Sequence, residues 1–239
     1  MNGQDSEGRH ALSGSDHINA LVVIAAYNEE SVISSVVTEV LGYFRNVVVV
    51  DDGSTDETGK RAREAGATVI RHAVNLGQGA ALETGITFGL QRRDIQKFVT
   101  FDADGQHRPE DAVRLVRRLE ASGAHLVLGT RFHGDAARLI PPIRRMVLRA
   151  ARWYSRRSSG LSLTDAHNGL RAFGRTAAAE FRFTHPGMAH ASEITNIAAA
   201  RGFSVIEEPV TIRYTDYSLQ KGQSLLNAIN ISFDLFWRR

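Results

Sequence analysis

Residues 97–110 read KFVTFDADGQHRPE. The apolar run Lys97 to Phe101 has the length and composition of a short buried strand. Pro109-Glu110-Asp111 then supplies a helix start: proline in the first turn with acids beside it. Between them stand Asp102 and Asp104. Carboxylates at i and i+2 of an extended segment point to one side. Two such charges side by side repel unless a cation lies between them. Oxygen ligands of this kind suit a hard divalent ion, Mg²⁺ or Mn²⁺. The expectation is that this acidic strand end carries a metal and that the metal carries a diphosphate.

The same strand-then-polar-turn unit recurs upstream. Ala20 to Ala26 (ALVVIAA) is a continuous apolar run of the kind found in parallel strands covered on both faces. It is followed by Tyr27-Asn28-Glu29-Glu30 and a helical pattern from Ser31 to about Leu41. Asn46 to Val50 is a second strand, ending in Asp51-Asp52-Gly53-Ser54. Ser54 with Glu57 three residues on has capping-box spacing and predicts a helix to about Ala65. Ala67 to Arg71 is a third strand, Asn75 to Gly79 a turn, and Ala80 to Leu90 a helix. After the acidic strand come a helix over 109–121 and a fifth strand, His125 to Leu128. Strands alternating with helices at this spacing predict an α/β protein built of βαβ units on a mostly parallel sheet. Ligands of such sheets bind at the carboxyl ends of the strands, where three separate polar clusters fall on one rim.

Beyond Gly129-Thr130-Arg131 the rhythm changes. An Arg-rich helical stretch is expected over 142–157, Asp165 to Phe173 reads as a loop entering a strand, and a helix spans roughly 189–200. Phe203 to Tyr214 reads as two short strands broken at Pro209.

The bulk properties narrow the class. At 239 residues, with 43% hydrophobic and 23% charged residues, the chain suits one soluble α/β domain. There is no cysteine, so disulfides and thiolate metal sites are excluded. Met1 to His17 lacks the apolar core of a signal peptide and reads as a disordered tail. No apolar run approaches the roughly 20 residues of a membrane span. Net charge is only +3, but Arg138, Arg144, Arg145, Arg149, Arg152, Arg156 and Arg157 cluster, which suits an anionic partner or a solvated helix face.

Rival readings of the motifs are testable in the sequence. A calcium-binding helix-loop-helix counted from Asp102 needs Gly and Glu where His107 and Val113 stand, and so fails. A dinucleotide fold needs G-x-G-x-x-G after the first strand, where this chain has acids. A haloacid-dehalogenase-type phosphatase shares the FDxDG pattern at residues 101–105, with Asp102 as nucleophile. That reading has Gln106 where Thr or Val belongs and leaves the other two clusters unused. Asp51-Asp52-Gly53-Ser54 admits a purely capping role, and a carboxylate there can also accept an imide N–H from a pyrimidine.

As an ordered set, these motifs resemble the family 2 glycosyltransferases of the GT-A fold, in particular dolichyl- and polyprenyl-phosphate mannosyl- and glucosyltransferases. The resemblance rests on Tyr27-Asn28-Glu29, Val50 to Asp56, the Asn75/Gly77/Gly79/Ala81/Gly85 series, Asp102 to Glu110, Gly129-Thr130-Arg131 and Asp165 to Phe173. It implies a Rossmann-like, mostly parallel sheet flanked by helices, in one domain over 19–218. Residues 19–130 would form a nucleotide-sugar half and 131–218 an acceptor half. A tail over 1–18 would precede it and an amphipathic helix over 219–239 would follow.

By the same resemblance Ala25, Tyr27, Glu29 and Asp51 or Asp52 line the nucleoside pocket, and Ala103 lies within the donor-binding stretch. Asp102, Asp104 and Gln106 hold Mg²⁺ or Mn²⁺ on the diphosphate, while Arg131, Arg213 and Lys221 engage phosphate groups. The implied reaction is an inverting displacement from a nucleoside-diphosphate sugar to a polyprenyl phosphate or saccharide, in cell-envelope glycan synthesis, with no nucleic-acid partner. A hydroxyl acceptor would need a base, for which Asp165 is the first candidate and Glu193 the second; either could instead pair with Arg171. Ala25 departs from the family's usual Pro, and the C-terminal transmembrane helices of many relatives are missing. Residues 224–239 instead predict a helix with Leu225, Ile229, Phe233 and Phe236 near one face, suited to a membrane surface, its own domain or a partner chain. The implied location is cytoplasmic, with peripheral contact at the inner face of the membrane. A silent nucleotide-sugar- or lipid-binding partner of a membrane protein is the non-enzymatic alternative.

Overall fold

The computed structural model describes residues 17–131, 163–165, 168–183 and 190–213. The expected tail up to residue 16, the Arg-rich helix, the 219–239 helix and Lys221 lie outside these residues.

Seven strands and six helices occur among the described residues. They run β1 (Ile18–Ala26), α1 (Ile33–Leu41), β2 (Phe44–Asp51), α2 (Thr58–Glu64), β3 (Thr68–Arg71), α3 (Gln78–Leu90), β4 (Lys97–Asp102), α4 (Pro109–Ser122) and β5 (Leu126–Thr130). Then follow β6 (Arg171–Gly174), α5 (Arg175–Ala178), α6 (His190–Ala200) and β7 (Val205–Pro209). The strands form one sheet in the order β3-β2-β1-β4-β6-β5-β7. The β1–β2, β1–β4, β2–β3 and β5–β7 pairs are parallel. The mostly parallel α/β expectation holds, and β6 is the exception: it runs antiparallel to both β4 and β5.

The continuous apolar runs are explained by burial on both faces. Ala20, Val22 and Ile24 face Ile33, Val37 and Val40 of α1 and Leu115, Val116 and Leu119 of α4. Leu21, Val23, Phe98 and Phe173 face Leu82 and Ile86 of α3 and Ile194 and Ala198 of α6. Each fully buried Val, Leu or Ile contributes about 1.5–3 kcal/mol, so the centre of the sheet is the anchor on which the strand ends are held. Helix α3 lies unusually close: a Cβ on Gly85 would overlap Val23, and one on Gly89 would overlap Phe98 and Leu21.

Three local expectations are corrected. Ser54 does not cap α2; its hydroxyl accepts the backbone N–H of Asn28 instead, at 3.0 Å. The first strand already begins at Ile18, within the stretch assigned to the tail. After Pro209, which ends β7, residues 210–213 form no second strand.

Candidate active site

The register of the sheet brings the strand ends level. Ala26 lies opposite Asp51, and Ala25 lies opposite Asp102. The loops after β1, β2 and β4 therefore leave the carboxyl edge of the sheet side by side, as ligand-binding loops of such sheets do.

The first two loops are stitched together. Ser54 Oγ, Thr58 Oγ1 and Asp56 Oδ2 accept the backbone N–H groups of Asn28, Glu29 and Glu30 at 3.0, 2.8 and 3.2 Å. Asn28, at φ 55°, returns the favour by accepting Thr55 N–H on Oδ1 at 2.9 Å. Burial opposes ionisation of Asp56, but hydrogen bonds from the Thr58 side chain and from backbone N–H groups outweigh it and hold the carboxyl below the usual range. The serine, aspartate and threonine of this motif are thus the clamp that shapes Tyr27 to Glu30. Tyr27 is left 44% exposed on the rim, with Ala25 and Glu29 half-buried beside it.

The two aspartates at the end of β2 are both buried. Asp51 is fully buried, accepting Ser54 N–H at 3.0 Å and facing Arg71 Nε at 3.6 Å. Asp52, 3% exposed, accepts His72 Nδ1–H at 2.7 Å and Leu76 N–H at 2.9 Å on one oxygen, and Gly77 N–H at 2.8 Å on the other. An acceptor-only carboxylate fixes His72 as the Nδ1–H tautomer, and its Nε2 lies 2.9 Å from Thr84 Oγ1. Asp52 is therefore a tie between the β2 and β3 loops with both oxygens engaged, whereas Asp51 Oδ2 is buried with no hydrogen-bond partner among the described residues.

The acidic strand end is arranged differently. Asp102 Oδ1 accepts Gln78 Nε2–H at 3.2 Å, and Oδ2 lies 2.9 Å from Nε2 of the buried His107. Its carboxylate rests on the backbone of Gly169, where a Cβ would overlap it. Asp104 accepts Gln106 N–H at 3.0 Å. Burial and then the charge of Asp102 raise the Asp104 pKa, with Glu29 a further negative neighbour. Ala103 turns into the core, 5% exposed.

A hard divalent cation fits this donor set, since two neighbouring carboxylates disfavour each other's charge and offer only oxygen ligands. No group of three or more His, Asp or Glu side chains is gathered for a metal among the described residues, so remaining ligands would come from a diphosphate and water. Gln106 contributes its backbone to this loop, donating to Asp104 and accepting Arg213 N–H at 2.9 Å.

On the far side, Arg131 grips Asp165 with Nε and Nη2 at 2.7 and 2.8 Å, and its backbone N–H adds a third bond at 3.1 Å. Asp165 is 5% exposed. Its own backbone N–H and the Thr164 N–H and hydroxyl all converge on Glu207, at 3.0, 2.7 and 2.8 Å. Both carboxylate oxygens of the first base candidate are thus bound to Arg131, the partner the sequence did not single out. Glu193 stands in the first turn of α6, half-buried. Arg213 reaches the acidic loop by its backbone, while its guanidinium pairs with Glu39 of α1 at 2.7 Å. Val36, Glu39, Asp104, His107 and Arg213 border a cavity of about 160 Å³ behind that loop.

The sequence did not single out His72, Gln78, His107 or Glu207. His107 lies five residues from Asp102 within the same motif, whereas His72, Gln78 and Glu207 act on groups that only the fold brings near.

Residues 21–181 match Glycosyl transferase family 2, and the chain belongs to that family: it is a glycosyltransferase. It is 34% identical to polyprenol monophosphomannose synthase of Mycolicibacterium smegmatis, over 90% of this chain and 84% of that one. It is 31% identical to undecaprenyl-phosphate mannosyltransferase of Micrococcus luteus, over 81% and 83% of the two chains. It is 28% identical to UDP-N-acetylglucosamine--dolichyl-phosphate N-acetylglucosaminyltransferase of Methanococcus voltae, over 91% and 93%. In fold it is similar to glucosyl-3-phosphoglycerate synthase of Mycobacterium tuberculosis, solved in complex with UDP, with a TM-score of 0.63 at 24% identity over 88% and 74% of the chains. The same enzyme has been solved with Mn²⁺ and UDP. Family membership removes the phosphatase alternative. Among the described residues no helix is long and apolar enough to cross a membrane.

Proposed function

We propose that the protein transfers a sugar from a nucleoside-diphosphate sugar to a polyprenyl phosphate, in a metal-dependent displacement that inverts the anomeric carbon. The acceptor class is supported by the relatives, which carry polyprenol, undecaprenyl-phosphate and dolichyl-phosphate in their names. The observation that carries the chemistry is the Asp102/Asp104 pair at the rim, level with the Tyr27–Glu30 loop, two neighbouring carboxylates whose charges disfavour each other.

Asp102 and Asp104 would hold Mg²⁺ or Mn²⁺, which when bound neutralises charge developing on the departing nucleoside diphosphate. Tyr27 offers the base an exposed ring at the rim, with Glu29 beside it. Arg131, oriented by Asp165 and Glu207, presents a guanidinium that is 41% exposed to the phosphates or the acceptor. A phosphate acceptor is already anionic and needs no base, which agrees with Asp165 serving to orient Arg131. In this reading residues 19–130 form the donor half and 131–218 the acceptor half.

The test is transfer of labelled sugar from UDP- and GDP-sugars to polyprenyl phosphate with Mg²⁺ or Mn²⁺. Asp104→Asn is expected to abolish transfer with the melting temperature unchanged or raised, because it removes a half-buried charge disfavoured by its Asp102 neighbour. Chelation by EDTA is expected to do the same reversibly. Near-normal turnover of Asp104→Asn, or EDTA-insensitive transfer, refutes the metal-dependent mechanism.

A further inference from the structure

Among the described residues Arg171 is the largest fully buried side chain, 1% exposed. Its two terminal nitrogens are buried and make no hydrogen bond among the described residues. A buried guanidinium without hydrogen bonds is costly unless something compensates its charge.

The fold shows what does. Arg171 opens β6, opposite Thr100 of β4 on one side and Leu128 of β5 on the other. Side chains alternate along a strand, so Arg171 shares a face with Phe173, Phe98, Leu126 and Leu128, which pack together. Asp102 extends the same alternation along β4 from Phe98 and Thr100. Two residues before Arg171, Gly169 abuts the Asp102 carboxylate, and its carbonyl accepts the Thr100 hydroxyl at 2.7 Å, locking this approach. Burial lowers the Arg171 pKa to about 10, and the charges of Asp102 and Asp165 act against that fall. Those two carboxylates are its electrostatic partners. The guanidinium is still a cation at neutral pH, buried on the face of the sheet that Asp102 extends.

We propose that Arg171 is a positioning residue whose fixed charge lowers the affinity of the Asp102/Asp104 pair for a free divalent cation, so that metal and nucleoside diphosphate are held together and lost together. This rests on the metal reading above. A cation next to Asp102 satisfies part of its field before any metal arrives, and it repels the incoming ion. The diphosphate brings negative charge that offsets the repulsion. The protein is thereby kept from holding metal tightly when the donor is absent.

The test is Mn²⁺ binding to the full-length protein, read by electron paramagnetic resonance of the free ion, alone and with UDP or GDP. Replacing Arg171 by Met is expected to tighten Mn²⁺ binding without nucleotide by about tenfold or more, and to shrink the gain on adding the diphosphate. Arg171→Lys, which keeps the charge, is expected to stay near the wild type. A merely structural arginine predicts the opposite sign, weaker binding in both variants. If Arg171→Met melts too low to titrate, Arg171→Gln takes its place, and the rise of melting temperature with Mn²⁺ gives the same reading. Mn²⁺ binding by wild type with the diphosphate, but no tightening in the Met and Gln variants, overturns this inference and leaves the metal reading intact. Absence of Mn²⁺ binding in every variant, with or without nucleotide, overturns both.

Discussion

Asp52→Asn separates two accounts of the Asp51-Asp52 motif. Asp52 accepts three donors, from His72, Leu76 and Gly77, at 2.7, 2.9 and 2.8 Å. An asparagine keeps one acceptor oxygen and turns the other into a donor. Placed to keep the shared oxygen, its amide faces Gly77 N–H, donor against donor. One charge-assisted hydrogen bond, about 1.5–3 kcal/mol, is lost, and the two that remain fall to neutral strength. The sum is about 3 kcal/mol, which for a chain of this size lowers the melting temperature by roughly 6–12 °C. Thermal melts check this directly. Tyr27→Ala is the control: an exposed ring carries little stability, so its melt should stay put while its donor KM rises. If Asp52→Asn leaves the melt within about 2 °C of wild type and raises donor KM instead, the loop-tie account is wrong and Asp52 faces the nucleoside.

Three further outcomes follow from the geometry. Gly169→Ala would drive its methyl into the Asp102 carboxylate; transfer activity and Mn²⁺ binding should fall together, with little change in circular dichroism. Arg175 donates to the carbonyls of Leu90, at the end of α3, and of Arg92 and Ile95 in the connection to β4, so Arg175→Ala should cost about 2–3 kcal/mol, read by urea denaturation. Tyr43 donates to Glu110 at 2.7 Å, and its pKa is raised to about 12, first by that bond and then by burial. A raised folded pKa stabilises the protonated phenol, so the contribution is complete below pH 10 and lost between pH 10 and 12. Melts of wild type and Tyr43→Phe should therefore converge over that window and differ below it.

How much of this was legible beforehand depends on how local each determinant is. Helix α4 starts at Pro109 with acids in its first turn and stops at Gly123 with φ 65°; every signal lies within the helix itself, and the sequence shows all of them. The double burial of β1 is equally local, since only a strand covered on both faces tolerates seven apolar residues in a row. Ser54 shows the limit. Its spacing to Glu57 is that of a capping box, yet the donor it meets is Asn28 N–H, 26 residues earlier. A hydroxyl takes whichever N–H the fold supplies, and nothing near Ser54 in the chain marks which. The antiparallel entry of β6 between β4 and β5 is hidden for a related reason: four residues carry too little pattern to fix direction or neighbours.

The site follows the same division, and that bears on how its motifs are understood. Asp102 and Asp104 were visible because their chemistry is mutual: two acids two residues apart need a cation whatever surrounds them. Asp52, Ser54, Asp56 and Thr58 form an equally polar run, but the fold spends their oxygens on backbone N–H groups of neighbouring loops, while Asp51 Oδ2 stays without a hydrogen bond among the described residues. A polar cluster at a strand end is thus as readily a loop clamp as a ligand wall. What separates the two is whether its acceptors are already filled. By that measure Asp52, Ser54, Asp56 and Thr58 hold the neighbouring loops in shape, and the β4 end, where the charges of Asp102 and Asp104 disfavour each other, is where we propose that a metal–diphosphate pair settles.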